Sequence, residues 1–351
     1  MEVLLERSGS DLHLTTGSPP LMRIHGSLVS LEGYPVLKPA ELRRMIYEIL
    51  TDKQRHALEE NLELDTSHPL PGKARFRVNV YFQRDSIGAV MRAIPHEIKP
   101  LAELGVPPVV AGFADLPRGL VLVTGPTGQG KSTTLASIID LVNQRQAVHI
   151  LTIEDPIEFL HTHKRAVVNQ REVGSDTHGF AQALRHALRQ DPDVILVGEL
   201  RDLETIATAL TAAETGHLVL ATLHTQDAPQ SVDRIIDVFP AYQQAQVRTQ
   251  LASTIQAIVT QQLLPNKEGT GRVAACEVMV ATPAIRNLIR EGKNSQMVTA
   301  MQAGARYGMQ TMDQSLAALV KAGKVSFQVA LERANNAEDF QRLAGRAPVR
   351  G

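Results

Sequence analysis

Cysteine and tryptophan are scarce in this sequence of 351 residues, which has one cysteine, Cys276, and no tryptophan. A single cysteine excludes an intrachain disulfide framework and a zinc site built from several thiolates. We therefore expect a protein of a reducing cytoplasm that binds no zinc. Long apolar runs are also missing, since no segment approaches the roughly 20 residues that cross a bilayer. The acidic residues 1–10 do not resemble a secretory signal.

A net charge of one sign is absent as well. The 36 lysine and arginine residues are balanced by 37 aspartate and glutamate residues, and aromatic residues make up 4% of the chain. Proteins that track nucleic acids use basic grooves and exposed aromatic side chains. The composition therefore predicts no nucleic-acid partner, although a local basic channel can exist in a neutral chain.

The chain is long enough for two or three domains, and its first part, residues 1–95, is predicted to be a smaller α+β domain. Residues 39–60 have apolar side chains at the spacing of a one-sided helix. Residues 74–82 alternate apolar and polar side chains, as a strand with one buried face does. The apolar positions are Leu42, Met45, Ile46 and Ile49 in the helix and Phe76, Val78, Val80 and Phe82 in the strand.

Prolines crowd the following segment, residues 96–118. Proline at this density does not fit a continuous helix or a central strand. We predict an ordered linker between two domains, which can act as a hinge. The prolines are Pro100, Pro107, Pro108 and Pro117, with Pro95 immediately before the segment.

Residues 119–260 alternate short apolar runs with helical stretches, a pattern typical of parallel strands that are buried on both faces. We predict an α/β core with a mainly parallel sheet and strands at residues 120–123, 149–153, 194–197 and 218–223. Residues 261–351 are predicted to be mainly helical, with one strand candidate at Arg272–Val280 and a loose tail, RAPVRG.

The segment GPTGQGKST, residues 125–133, fits the phosphate-loop pattern G-x-x-x-x-G-K-[ST] and lies between a predicted buried strand and an amphipathic helix. In such a loop the backbone N–H groups and the helix N-terminus face phosphate oxygens. Lys131 would bridge the β- and γ-phosphates of ATP, and Ser132 would ligate Mg²⁺. The predicted nucleotide-binding residues are Gly125, Pro126, Thr127, Gly128, Gln129, Gly130, Lys131, Ser132 and Thr133.

Acidic residues follow two of the predicted strands. Glu154, Asp155 and Glu158 come after the strand at 149–153, and Glu199 comes after the strand at 194–197. Because ligands of open α/β sheets lie beyond the carboxyl ends of the strands, both groups are expected beside the phosphate loop. There they can handle the attacking water and the metal. A solvated acidic turn is the alternative for each group.

Two histidines bracket the predicted strand at residues 218–223. His224, at its carboxyl end, can contact the γ-phosphate or an acidic residue, and His217 precedes the strand. Both are candidate catalytic residues, and a turn histidine with structural hydrogen bonds is the alternative for each. His161 and His163 have no partner at metal-binding spacing and are assigned no role.

The order of these motifs resembles that of the secretion ATPases of type II and type IV pilus systems. It has a Walker A loop (GPTGQGKST), an aspartate box (TIEDPIE), a Walker B strand with glutamate (DPDVILVGELRD) and a histidine box (TAAETGHLVLATLHT). SDLHLTTGSPPLMRIHGSL and RFRVN resemble the N-terminal domain of that family, so the resemblance covers nearly the whole chain. It implies a RecA-like P-loop core after a PAS-like α+β domain, and a helical C-terminal region.

The resemblance also implies roles for individual carboxylates. Glu158 would position or activate the attacking water, and Glu154 and Asp155 would support the metal and its waters. Glu199 would act through Mg²⁺ or through the water, together with Ser132. How these roles divide among the four carboxylates stays open.

Arginines of the N-terminal domain are further candidates from the resemblance. Arg77 and Arg92 match arginines that reach nucleotide across a domain or subunit boundary in this family, where they would stabilise charge on the γ-phosphate. The sequence departs from the family pattern at Gln129, commonly serine, and at Leu200, commonly methionine. Neither change removes a ligand, because the loop acts through backbone N–H groups.

Two C-terminal motifs resemble the pilus-retraction branch of the family: AIRNLIRE, residues 284–291, and GMQTMD, residues 308–313. Extension and type II secretion relatives usually carry a four-cysteine zinc motif and an additional N-terminal domain, which this sequence does not show. On a helix, the apolar residues of AIRNLIRE would share a docking face, and Arg286 and Arg290 would share a different, charged face.

The expected function is that of a cytoplasmic, hexameric ATPase that drives type IV pilus retraction. It would act peripherally at the inner face of the cell membrane, with an inner-membrane platform protein and a second retraction ATPase as partners. An accessory retraction motor or an extension or type II secretion motor of the same fold is the alternative. A nucleic-acid translocase is a remote one, and a nucleotide switch without turnover would not need the carboxylates.

Overall fold

The computed structural model describes residues 1–7, 9–24, 27–94 and 97–345. Two compact units are present: an N-terminal unit, Met1–Glu97 with Glu158–Leu160, and a P-loop unit that contains Ile98–Ile157 and the chain from His161 onward. The predicted boundary at Pro95 and the predicted loose tail at residues 346–351 lie outside the described residues. Within the described residues, no helix has the length and apolar character needed to cross a membrane.

The N-terminal unit is an antiparallel sheet covered by short helices. Its strand order is β3-β2-β1-β6-β5-β4. The elements are α1 (Glu2–Glu6), β1 (Asp11–Leu14), β2 (Leu21–Ile24), β3 (Ser27–Ser30), α2 (Pro39–Glu48), α3 (Asp52–Asn61), β4 (Glu63–Leu70), β5 (Ala74–Gln83) and β6 (Ser86–Ile94).

The predicted strand is β5, whose Phe76, Val78 and Val80 are buried in the same core as Leu42 and Ile46 of α2. The predicted single helix at residues 39–60 is wrong in one respect, because it is two helices. The Thr51 side chain and Gln54 form a capping box that starts α3, and such a cap ends the preceding helix. Met45, predicted to be in the core, is 42% exposed.

The P-loop unit is built around one large sheet. Its elements are β7 (Gly119–Thr124), α4 (Lys131–Arg145), β8 (His149–Glu154), β9 (Val167–Glu172), α5 (Phe180–Ala187), β10 (Val194–Val197), α6 (Leu203–Glu214), β11 (Leu218–Leu223), α7 (Ala228–Asp237), α8 (Ala241–Thr254), β12 (Ile255–Pro265), β13 (Arg272–Val280), α9 (Pro283–Glu291), α10 (Met297–Gln302), α11 (Met312–Lys321), α12 (Phe327–Leu331) and α13 (Ala337–Leu343). Short 3-10 helices lie at Leu101–Glu103, Pro108–Asp115, Asn294–Gln296 and Ala305–Tyr307.

The strand order of this sheet is β13-β12-β7-β11-β10-β8-β9, and only β13 is antiparallel to its neighbour. Both faces are buried. Leu120 and Leu122 of β7 belong to one apolar cluster, and Val121 and Val123 belong to the cluster on the other face. This arrangement explains the continuous apolar run of the sequence. The α/β fold with a mainly parallel sheet is confirmed.

Two parts of the sheet were not predicted. β12 starts before residue 260 and runs to Pro265, so the predicted end of the core at 260 falls inside a strand. With β13 it forms an antiparallel pair that belongs to the sheet. β9 was missed because its sequence, VVNQRE, is mostly polar, as an edge strand allows.

The proline-rich segment folds onto the P-loop unit. Leu101, Val110 and Phe113 are buried in the same cluster as residues of α4, and Lys99 accepts a hydrogen bond on its carbonyl oxygen from Ser137 of α4 (2.7 Å). Residues 98–115 are therefore ordered, as predicted, but belong to one unit rather than standing between two.

Candidate active site

The phosphate loop connects the carboxyl end of β7 to the first residue of α4. Gly125, Gly128 and Gly130 have φ angles of +136°, +81° and +82°. Side chains larger than hydrogen disfavour this region of backbone space, which explains the three glycines. At Gly125 a Cβ would also lie 2.4 Å from the carbonyl oxygen of Gln261. The loop thus has the shape that brings its N–H groups and the α4 N-terminus to one anion site.

Lys131 is 8% exposed and its ammonium group points back over the loop. Its Nζ atom donates to the carbonyl oxygens of Gly125 (2.6 Å) and Pro126 (3.0 Å) and lies 3.5 Å from Nδ1 of His224. Phosphate oxygens are stronger partners for an ammonium group than neutral carbonyls. The lysine is thus within the loop it would serve, ready to exchange carbonyl contacts for phosphate contacts.

Glu199, which follows β10, holds two cationic or polar partners at once. Its Oε1 atom lies 3.2 Å from Nε2 of His224, and its Oε2 atom lies 2.7 Å from Nη2 of Arg201. Burial acts to raise the pKa of Glu199, but the hydrogen bonds from Arg201 and His224 and the charge of Arg201 outweigh it, so its pKa lies below the usual value. The side chain is therefore an anion at neutral pH.

His224 joins the phosphate loop to this carboxylate. A neutral imidazole with its proton on Nε2 donates to Glu199 and accepts from Lys131 on Nδ1, so this tautomer satisfies both neighbours. The contacts form a continuous group that runs Lys131, His224, Glu199, Arg201. The structure thus brings together four residues that span 93 positions of the sequence, from Lys131 to His224.

His217 is not part of this group within this chain, and its catalytic role stays a prediction. It precedes β11, at the amino end of the strand, whereas His224 follows the carboxyl end. Its Nδ1 atom is 2.9 Å from the carbonyl oxygen of Ala212, at the C-terminal end of α6. At about 3.3 Å per residue, the strand separates the two histidines by roughly 20 Å. Within this chain, the contact of His217 with Ala212 is the structural hydrogen bond that the alternative expects.

The aspartate box is split between the two units. Glu154, at the end of β8, accepts hydrogen bonds on Oε1 from Thr152 (2.6 Å) and Gln170 (3.2 Å). The charge of Asp155, an exposed residue, acts on the neighbouring Arg201, whose pKa is raised mainly by its hydrogen bond and charge interaction with Glu199. Glu158 is exposed and belongs to the N-terminal unit. Its role in positioning water stays a prediction.

Arg77 and Arg92 are directly opposite each other on β5 and β6, and both are exposed. Arg92 Nε lies 2.8 Å from Oδ1 of the buried Asp11, whereas the side chain of Arg77 has no ion pair or hydrogen bond among the described residues. Like charges at opposed positions of an antiparallel pair repel each other. Asp11 pairs with Arg92 alone, so the two guanidinium groups carry excess positive charge that can attract a further anion.

Oxygen atoms make up the donor set that could hold a metal ion near the loop. The Ser132 hydroxyl and the Glu199 carboxylate suit Mg²⁺, which keeps several waters and is usually completed by substrate phosphates. No cluster of three or more acidic, histidine or cysteine ligands exists among the described residues. Both oxygens of Glu199 have partners, which favours contact through water.

Arg201 contacts Glu199 at the site, although the sequence predicted no role for it. It lies in the quoted motif GELRD two positions after Glu199, and its guanidinium fixes one carboxylate oxygen (2.7 Å). The available signal was a cation two residues beyond an acidic residue at a strand end. That signal does not distinguish a bound arginine from a solvent-facing one, because both occur in loops.

The two C-terminal motifs have structural contacts of their own. In α9, Ile285 and Ile289 are buried as predicted, but the prediction of an outward charged face is wrong for Arg286. Its Nη1 atom donates to the carbonyl oxygens of Ala252 (2.6 Å) and Ser253 (2.9 Å) in the last turn of α8, where a cation is favourable. Arg290 is exposed.

GMQTMD attaches α11 to the sheet. Gln310 pairs with Val278 of β13, and Thr311 forms a capping box with Gln314. Glu277, buried in β13, accepts the backbone N–H of Met312 at the start of α11 (3.3 Å) and that of Ala228 at the start of α7 (2.8 Å). One carboxylate thus holds two helix N-termini.

Known proteins are similar to this chain over most of its length. The sequence model described as "Type II/IV secretion system protein" matches residues 23–332. The type IV pilus retraction ATPase PilT of Pseudomonas aeruginosa is 53% identical over 335 residues, which cover 95% of this chain and 97% of that protein. The type IV pilus ATPase PilU of the same organism is 42% identical and covers 98% and 90%.

A solved structure agrees with these relatives. The crystal structure of the pilus retraction motor PilT with bound ADP superposes with a TM-score of 0.92 at 49% identity, covering 97% of each chain. Likeness at this level of identity and coverage includes both units and the C-terminal helices. This chain belongs to the type II/IV secretion system protein family.

Proposed function

We propose that this chain is a motor ATPase that hydrolyses ATP to drive retraction of a type IV pilus. The observation that carries the proposal is the continuous group of Lys131, His224, Glu199 and Arg201, which connects a phosphate loop to an ionised carboxylate. The likeness to the retraction ATPase PilT over 95% of the chain favours pilus retraction over pilus extension as the work that hydrolysis drives.

ATP binding begins at the phosphate loop. The loop N–H groups and the α4 N-terminus attract the phosphates, and Lys131 exchanges the carbonyls of Gly125 and Pro126 for phosphate oxygens. That movement alters the 3.5 Å contact of Lys131 with His224. Because the Nε2 atom of His224 contacts Glu199, a change in the contact with Lys131 also affects the hydrogen bond of His224 to the carboxylate.

Glu199 acts on the attacking water. Its carboxylate stays ionised because of Arg201 and His224, and an ionised carboxylate orients water by accepting a hydrogen bond. Arg201 and His224 each contact one oxygen of Glu199 and fix the orientation of its carboxylate. The attacking water therefore donates to an acceptor whose position is fixed. Ser132 and, through water, Glu199 would hold Mg²⁺, which when bound neutralises charge on the β- and γ-phosphates.

The partners of the motor follow from the same proposal. The chain works as a homohexamer, in which Arg77 and Arg92 supply positive charge to a nucleotide across a unit or subunit boundary. It sits peripherally at the inner face of the cell membrane, where it meets an inner-membrane platform protein and a second retraction ATPase. The exposed Arg77 beside Arg92 supports this role, because the pair has one carboxylate partner, Asp11.

An accessory retraction motor is the second candidate, because the chain is also 42% identical, over 98% of its length, to another type IV pilus ATPase, PilU. The two candidates differ in what a cell without this chain can do. Loss of a principal motor stops retraction, whereas loss of an accessory motor weakens it.

The test uses a deletion strain complemented with the wild-type chain, Lys131→Ala or Glu199→Gln, together with the purified proteins. We expect ATP hydrolysis by the wild type, loss of nucleotide binding in Lys131→Ala, and binding without turnover in Glu199→Gln. Neither variant should restore surface motility, and the cells should carry long, numerous pili. Normal motility in the deletion strain would overturn the proposal, and weakened motility would favour the accessory role.

A further inference from the structure

β12 is longer than the strand beside it. The last pair between the two strands is Thr260 with Thr124, where β7 ends. β12 continues to Pro265 in register with β13 on its other side. Beyond Thr260, the side of β12 that faced β7 therefore has no strand partner. The phosphate loop begins at that point and lies in the place of the missing strand.

Three contacts join β12 to the start, the tip and the end of the loop. At the start, Gly125 lies against the carbonyl oxygen of Gln261, so closely that a Cβ would be 2.4 Å from it. At the tip, Oε1 of Gln129 accepts the backbone N–H of Leu263 at 2.5 Å. At the end, the hydroxyl of Thr134 in the first turn of α4 donates to Oε1 of Gln261 at 2.8 Å.

The contact at the tip is the one that a side chain of the loop itself provides. An unpaired backbone N–H at the edge of a sheet needs an acceptor, and Leu263 finds it in Gln129. Glutamine suits this position because its amide oxygen accepts without carrying charge, and the chain is long enough to reach the strand. Glutamate would place a negative charge beside phosphates, and lysine or arginine has no acceptor.

We propose that Gln129 is a positioning residue that clamps the tip of the phosphate loop to β12 through the Leu263 amide. The clamp holds the loop in its binding shape before nucleotide arrives, so less conformational freedom is lost when phosphates bind. The inference rests on the proposed ATPase function for its consequence, and the clamp itself is tested separately, in nucleotide-free protein. The departure from serine at this position removes no ligand of the loop but adds this contact to β12.

Preorganisation of this kind favours bound ATP, bound ADP and the transition state equally. Such uniform binding lowers Kd and KM and leaves kcat unchanged. A residue that orients water or stabilises the transition state lowers kcat when it is removed. The ratio of the two effects therefore separates a clamp from a catalytic group, and a fall in thermal stability would mark a general folding defect.

The test compares Gln129→Met with Gln262→Met. The first keeps the length of the side chain and removes the acceptor, and the second makes the same change on a half-buried glutamine of β12. In nucleotide-free protein, hydrogen–deuterium exchange with fragmentation to single amides should show Leu263 exchanging at least about tenfold faster in Gln129→Met. Amides of β12 that pair with β13 should not change and serve as the internal reference.

The same proteins are then measured with nucleotide. We expect Kd for ADP and KM for ATP to rise together by about fivefold in Gln129→Met, with kcat within about twofold and an unchanged unfolding midpoint. Gln262→Met should match the wild type. Unchanged exchange at Leu263, faster exchange with unchanged affinity, or a loss confined to kcat would each overturn the clamp. Failure of the ATPase proposal would appear differently, as a wild type without turnover whose Leu263 amide is still protected.

Discussion

The Nε2 atom of His224 lies 3.2 Å from Oε1 of Glu199, and the two residues follow the neighbouring parallel strands β11 and β10. The other ring nitrogen of His224 faces Lys131. The imidazole therefore connects the lysine that we propose contacts phosphate with the carboxylate that we propose orients the attacking water. Two adjacent strand ends suffice to build this connection, since parallel strands end at the same edge of a sheet.

Replacing Glu199 by glutamine tests the carboxylate itself. The amide keeps nearly the same volume but cannot orient water as an anion does. The substitution also removes the ion pair with Arg201. We expect turnover to fall by about 10²-fold or more, with Kd for ADP within about threefold of the wild type. Steady-state hydrolysis and a fluorescent ADP analogue measure the two quantities. Retained turnover would remove Glu199 from the catalytic group.

The pH dependence of turnover tests the partner, Arg201. Burial alone would raise the pKa of Glu199, and Arg201 and His224 bring it below the usual value. Removing Arg201 therefore raises the pKa of Glu199. As the pH is lowered, the carboxylate then becomes protonated, and inactive, at a higher pH than in the wild type. The acidic limb of the kcat profile should move upward in Arg201→Ala, and Arg185→Ala, which removes an exposed ion pair with Glu204, should leave it in place.

The arginines of α9 are predicted to differ from each other. Arg286 donates to carbonyls of the last turn of α8, and removing such charge-assisted bonds costs about 2–3 kcal/mol. Arg286→Ala should therefore lower the melting temperature by several degrees. Arg290→Glu should leave melting temperature and ATP hydrolysis within about twofold and abolish pilus retraction in cells. Normal retraction in Arg290→Glu would return AIRNLIRE to a packing role.

Mixing experiments test Arg77. It is exposed and has no ion pair among the described residues, so Arg77→Ala should fold like the wild type and hydrolyse ATP slowly. Arg92 is a poorer probe because its loss also leaves the buried Asp11 without its cation. Mixing Arg77→Ala with Lys131→Ala should restore part of the activity, because one subunit then supplies the arginine and the other the loop. Absence of any rescue would favour action within one chain.

Stability near neutral pH should depend on Glu277. Burial raises its pKa to about 7, against the hydrogen bonds from the Ala228 and Met312 amides, which lower it. Its contribution to stability is thus full below the ordinary pKa of about 4.5 and declines as pH rises toward 7. Urea unfolding at pH 5 and pH 7.5 should show this decline in the wild type relative to Glu277→Gln. A constant difference between the two proteins would show that the carboxyl does not titrate in this range.

The sequence predicted the parts of the fold that depend on local pattern. Buried strands such as β7 and β11 show as apolar runs, and the phosphate loop is a fixed spacing of glycines around Lys131. The parts that were missed depend on distant contacts. β9 is a polar edge strand, β12 crosses the predicted boundary because its neighbour β7 lies far away in sequence, and the inward turn of Arg286 depends on where α8 ends.

Within the site, the sequence predicted which strand ends carry polar groups but not how they pair. His217 and His224 flank the same strand, and only the parallel register shows that one of them lies at the loop edge. The partnership of Glu199 with Arg201 also needs coordinates, because a two-residue spacing in a loop fixes no direction.

The position of β12 has a consequence for the order of events on the ribosome. The loop tip and its strand contact are 134 residues apart, a length that takes roughly 7–27 s to synthesise at about 5–20 residues per second. During that interval the nascent chain has already made its phosphate loop but lacks the strand that shapes it. If Gln129 clamps the loop as proposed, the loop tip takes its binding shape only after β12 has been synthesised and has docked beside β7.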